Sequence, residues 1–132
     1  MKRKENITRK ISPWLGLLGF MGILGPICYG WTNDPTALIF IAFFGFFGFY
    51  FEGKMSGTLM DERFKYNQQR AAAVAGKVNS LGMVFALIIT VNYVSRMGID
   101  VAYTFLIGSL ASMWGLQILL QGFLLYHYEN QE

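Results

Sequence analysis

Four long apolar runs carry no Asp, Glu, Lys or Arg, and every charged residue lies before, between or after them: Trp14 to Trp31, Pro35 to Phe51, Val78 to Ser95 and Val101 to Tyr126. A charged side chain at mid-bilayer costs on the order of 2.5–3.5 kcal/mol. Backbone polar groups in hydrocarbon must be satisfied inside the segment, which leaves helices as the way to cross. The pattern therefore predicts an all-α, four-transmembrane-helix bundle occupying residues 13–126. A hydrophobic content of 54% excludes an ordinary soluble domain.

The basic residues set the threading. Five precede the first run (Lys2, Arg3, Lys4, Arg9, Lys10) and five lie between the second and third (Lys54, Arg63, Lys65, Arg70, Lys77); only Arg96 falls elsewhere. That is the positive-inside pattern, and it predicts both termini in the cytoplasm of a bacterial cell membrane. The net charge of +3 is split between two juxtamembrane segments, so anionic lipid accounts for it and direct nucleic-acid binding is not expected.

Residues 1–12 read as a mobile basic tail and 127–132 as a short polar one. Trp14 and Trp31 bracket the first span as interfacial anchors, giving roughly 27 Å of helix. Pro26 is expected to kink that span. Asn33 or Asp34 can cap the second, with Pro35 in its first turn. The second span is short for a bilayer, which predicts interfacial ends or local thinning. Residues 52–77 form a cytoplasmic segment. Thr58 followed by Asp61 has capping-box spacing and predicts a helix running on towards the third span, with an Asp61–Lys65 pair.

Small residues mark packing faces, because helices in lipid associate by close approach. Gly16, Gly19, Gly22 and Gly25 recur every third residue and, on an α-helix, drift slowly around it. The second span is crowded with phenylalanines around Gly45 and Gly48, so its rings are expected in the glycine groove of the first. On the fourth span Gly108, Ala111, Ser112, Gly115 and Gly122 share a face, with Gln117 and Gln121 roughly opposite. Asn79 or Asn92 of the third span are the expected hydrogen-bond partners of those glutamines. Either face of the fourth span could instead serve a homo-oligomer.

Little catalytic chemistry is on offer. Cys28 and His127 are each the only one of their kind, so disulfides, CxxC centres and cysteine-based metal sites are excluded, and no metal or cofactor is expected. Nucleotide, P-loop and hydrolase motifs are missing, and the chain reads as non-enzymatic. No ionisable residue lies inside a span, which argues against a proton-coupled transporter; Arg96 sits at an edge, where it can pair with Asp100. The strongest polar cluster is Thr58-Leu-Met-Asp-Glu-Arg-Phe64. Around it Asp61, Glu62, Arg63, Lys65 and Arg70 are the expected partner-binding residues.

The stretch from Phe43 to Phe64, FFGFFGFYFEGKMSGTLMDERF, together with the glycine-repeat first span, resembles an uncharacterised family of small membrane proteins found mainly in Gram-positive bacteria, domain of unknown function 3796. The resemblance covers essentially the whole chain. It implies a regulatory partner, such as a helix-turn-helix transcription regulator, and no catalytic residues. The resulting expectation is an interaction protein acting through its cytoplasmic segment. Two alternatives stand beside it. One is an immunity or resistance factor against a membrane-active peptide. The other is a small-solute transporter lined by Asn79, Asn92, Gln117 and Gln121.

Overall fold

A computed structural model describes residues 7–131. Lys2, Arg3 and Lys4, with the first half of the expected N-terminal tail, lie outside them. Four helices are each long and apolar enough to cross a bilayer: α1 (Pro13–Thr32), α2 (Pro35–Lys54), α3 (Glu62–Asn92) and α4 (Ile99–Gln131). A 3₁₀ turn, Val94–Met97, leads to Gly98, whose φ of 120° turns the chain into α4. Asp34 caps α2 by accepting the Thr36 N–H at 3.0 Å, and hydrogen bonds from Thr36, the backbone one foremost, hold its carboxyl below the usual range.

The first two helices begin as 3₁₀-helix, over Pro13–Ile23 and Pro35–Phe47, and continue as α-helix over Leu24–Thr32 and Gly48–Lys54. Runs of 3₁₀ longer than about 3–4 residues are uncommon, and residues i and i+3 eclipse in them. This sequence has the matching period. On an α-helix the glycine row would turn by about 60° at each step; at three residues per turn it stays in line. A Cβ built on Gly16, Gly19 or Gly22 would lie 2.7, 2.6 or 2.7 Å from Tyr50 Cβ, Phe47 Cγ and Phe44 Cδ2, and on Gly25 it would lie 3.0 Å from Ile41 Cγ1.

The partner row, Ile41, Phe44, Phe47 and Tyr50, also steps by three. A second edge of α2, Phe40, Phe43, Phe46 and Phe49, stacks on itself with ring centroids 5.6, 5.0 and 5.3 Å apart. Its third edge, Ala42, Gly45 and Gly48, meets α4. The steeper rise, about 2.0 Å per residue against 1.5 Å, brings α2 to roughly 36 Å, so the span that reads as short clears a hydrocarbon core of about 30 Å. The expected kink at Pro26 takes the form of a change of helix type: the α segment starts two residues earlier, at Leu24, so the missing N–H falls in its first turn, where it costs least.

The helices pack in the order 1-2-4-3. Helix α1 rests on α2, α2 on α4, and α4 on α3; α1 reaches neither α3 nor α4, and α2 does not reach α3. Between α2 and α4 the backbones nearly touch. A Cβ on Gly45 would come 2.9 Å from the Gly115 carbonyl oxygen, and one on Gly122 would come 2.9 Å from that of Gly48. Gly108 is looser, 3.5 Å from Leu38 Cδ1, and Ser112 spends its hydroxyl on the Gly108 carbonyl of its own helix. On the α3 side, Gly82 admits Met113, and Ala71 and Ala75 are buried. The glycine face of α4 is thus occupied by α2 within the chain.

A candidate interaction site at the basic end

A cluster of buried apolar residues lies at one end of the row, among the basic residues. Met55, Phe64, Ala71 and Leu125 form it, with Met60, Leu124, Tyr126 and Tyr128 packed around them. It closes because the chain after α2 makes two turns, with Gly57 at φ 78°, before α3 begins. The N-terminal segment then straps across these turns. The Thr8 N–H donates to the Thr58 carbonyl at 2.9 Å, the Thr8 hydroxyl to the Met55 carbonyl at 2.8 Å, and the Ile11 N–H to Ser56 Oγ at 3.0 Å. Ile7 bridges Leu59, and Arg9 pairs with Glu52 at 3.0 Å. Ile7, Thr8, Arg9 and Ile11, read from sequence as part of a free tail, are therefore paired; those partners are over forty positions away and invisible to local composition.

The helix start is also corrected. Asp61, not Thr58, is the N-cap of α3, its carboxylate accepting the Phe64 N–H at 2.7 Å. Thr58 belongs to the strap, where its N–H donates to Thr8 Oγ1 at 2.9 Å. No Asp61–Lys65 or Arg96–Asp100 ion pair forms among the described residues. Asp61→Ala is expected to cost about 1 kcal/mol of stability, with Thr58→Ala leaving the start of α3 intact. Amide exchange at Arg63 and Phe64 checks this: faster exchange in the Thr58 variant alone would overturn the assignment.

The expected partner-binding residues divide into two groups. Arg63 donates to the Glu129 carbonyl at 3.4 Å, and Arg70 lies over the Tyr128 ring at 4.4 Å. Both hold α3 against α4. Between them sits Asn67, only 2% exposed, whose Nδ2 donates to Glu129 Oε1 at 2.7 Å. Sequence reasoning passed over Asn67; its place in the row Phe64, Asn67, Ala71, Ala75 was the available signal. These contacts also explain why α4 stays helical to Gln131 instead of ending in a polar tail. Glu62 and Lys65, by contrast, point outward with Tyr66 and Gln69.

The four intramembrane polar residues do not converge. Asn79 donates to Gln117 at 2.8 Å across the α3–α4 seam, while its own Oδ1 is buried with no partner among the described residues. Asn92 bonds the Ile88 carbonyl of its own helix. Gln121 lines a cavity at the basic end. A transport path shared by all four is not assembled.

No group of three or more His, Cys, Asp or Glu side chains able to hold a metal ion occurs among the described residues. What this end offers chemically is surface: charged side chains on a two-helix projection, and a cavity behind it. Taken together, the molecule is an all-helical membrane protein of four apolar helices with a structured polar end. It belongs to the family described as predicted membrane protein (DUF2178), whose model matches residues 8–131. This corrects the resemblance to domain of unknown function 3796; the class, an uncharacterised membrane protein family, is the same, but the family is a different one. Neither a curated protein nor a solved structure matches the chain.

Proposed function

We propose that this protein is a non-enzymatic interaction protein of the bacterial cell membrane, with both termini in the cytoplasm and the projecting part of α3 as its docking element. The orientation is supported by the positive-inside distribution of Lys and Arg. The observation that carries the docking role is the two-sidedness of α3 beyond the bilayer. The 31 residues of α3 make roughly 46 Å of helix, some 16 Å more than a hydrocarbon core of about 30 Å. On that excess, Phe64, Asn67 and Ala71 seal against α4, while Glu62, Lys65, Tyr66 and Gln69 are exposed. Glu62 and Lys65 form no ion pair among the described residues, so both charges are open to a partner.

The partner this surface fits is a cytoplasmic protein presenting the opposite pattern of charge around an apolar contact for Tyr66. Such rim charges contribute chiefly specificity and association rate. Combining Glu62→Lys with Lys65→Glu conserves net charge and leaves the α4 seam untouched. The double variant is expected to lose at least tenfold of the partner captured by a photo-crosslinker at position 66, at unchanged membrane insertion. Equal capture by the variant and the natural sequence would refute the docking role.

A further inference from the structure

At the end of the row away from the basic cluster lies an open cavity of about 580 Å³, within the size range of small-molecule sites. It exists because α1 and α4 both rest on α2 without reaching each other. Asn33, at φ 54°, turns the chain from the end of α1 towards Pro35 at the start of α2, and Gly98 turns it into the first turn of α4. These helix ends are the walls: Tyr29 on α1, Asn33 and Pro35 at the turn, and Asp100, Tyr103 and Phe105 on α4.

The lining carries charge of one sign. Asp100 is its one carboxylate, no Lys, Arg or His joins it, and it makes no ion pair or side-chain hydrogen bond among the described residues. Thr104, on the same wall, donates its hydroxyl to the Asp100 backbone carbonyl at 2.8 Å and leaves the carboxylate open. Arg96, the one cation in the connections at this end, neither lines the cavity nor pairs with Asp100, and Asp34 adds a second acid there. Tyrosines at a membrane interface need no ligand by themselves. Here Tyr29, Tyr103 and Phe105 share a cavity with an uncompensated carboxylate. A carboxylate attracts any cation; aromatic rings add a preference for a weakly hydrated, alkylated one. A calcium or magnesium ion would find a single carboxylate in the lining, too few oxygens to replace its water.

We infer that this cavity is a binding site for a small organic ammonium ion, its charge at Asp100 and its alkyl groups against Tyr29, Tyr103 and Phe105. A free ion fits better than the ammonium of a phospholipid headgroup, whose phosphate would come close to Asp100 at an end with two acids and one cation. The site is independent of partner docking, since Glu62 and Lys65 belong to the opposite end and do not line it.

The test uses the full chain purified in neutral detergent and titrated calorimetrically with choline, with its uncharged carbon isostere dimethylbutanol, or with glycerophosphocholine. Choline is expected to bind about tenfold or more tightly than dimethylbutanol, because the two differ in charge and not in shape. Glycerophosphocholine, which carries the same ammonium beside a phosphate, is expected to bind about tenfold more weakly than choline. Asp100→Asn should weaken choline binding by about tenfold at unchanged helix content. Tyr103→Ala, on an exposed side chain, should weaken it by several-fold and serves if the first variant does not fold. Equal binding of choline and dimethylbutanol, choline binding at natural strength in either folded variant, glycerophosphocholine binding as well as choline, or no choline binding would each overturn the site.

Discussion

Gly16→Val and Gly19→Val are each expected to destabilise the protein by about 1–3 kcal/mol or more, the cost of overpacking a filled contact. The added Cβ at position 16 would lie 2.7 Å from Tyr50 Cβ and 3.1 Å from the Tyr50 backbone nitrogen, and at position 19 it would meet Phe47 Cγ, at the root of that ring. Neither neighbour is the free end of a flexible side chain, so relief requires the two helices to part. In lipid there is little hydrophobic drive to hold them together once close packing is lost. Gly30→Val is the control, because a Cβ there meets nothing within 4 Å. Unfolding in mixed micelles by increasing fractions of denaturing detergent measures all three. If Gly16→Val unfolds at the same point as Gly30→Val, the α1–α2 contact described above is wrong.

Phe64→Ala should be more damaging than any change to the charged residues beside it. Phe64 is 3% exposed, at the centre of the cluster that ties the α2–α3 connection to α4. Truncating a buried phenylalanine costs about 3–5 kcal/mol through lost contacts and the void left behind. The connection between Met55 and Met60 should then loosen, so trypsin cleavage after Lys54 is expected to accelerate well over tenfold in the variant, while Glu62→Ala leaves it unchanged. Cleavage at the natural rate in Phe64→Ala would show that Phe64 does not hold this end together. The contrast matters for function, because the two residues sit two positions apart in one motif. A phenotype from Phe64 would report the scaffold, and one from Glu62 the proposed docking face.

The motif shows how far local reading goes. From its residue types, Asp61, Glu62, Arg63 and Lys65 form a single charged cluster before a helix, with a helix start three residues too early. Once α4 is placed alongside, they separate by direction: Asp61 turns into the first turn of α3, Arg63 reaches to Glu129, and Glu62 and Lys65 face outward. Nothing in their sequence spacing names Glu129, which lies 66 positions from Arg63. The glycine row was legible as a packing face, and so was its pairing with the aromatic second span. Its helix type was not, because assuming 3.6 residues per turn made a period of three look like drift.

Sequence by itself determined the four apolar helices, their connections and the concentration of positive charge at one end. Those follow from the cost of placing charge or unpaired backbone in hydrocarbon, which each segment meets from its own composition. Only the tertiary structure decided the order 1-2-4-3, the 3₁₀ form of α1 and α2, and the strap of residues 7–11. Each of these depends on which face of one segment meets which face of another, and such contacts are set by shape and close approach between residues far apart in the chain.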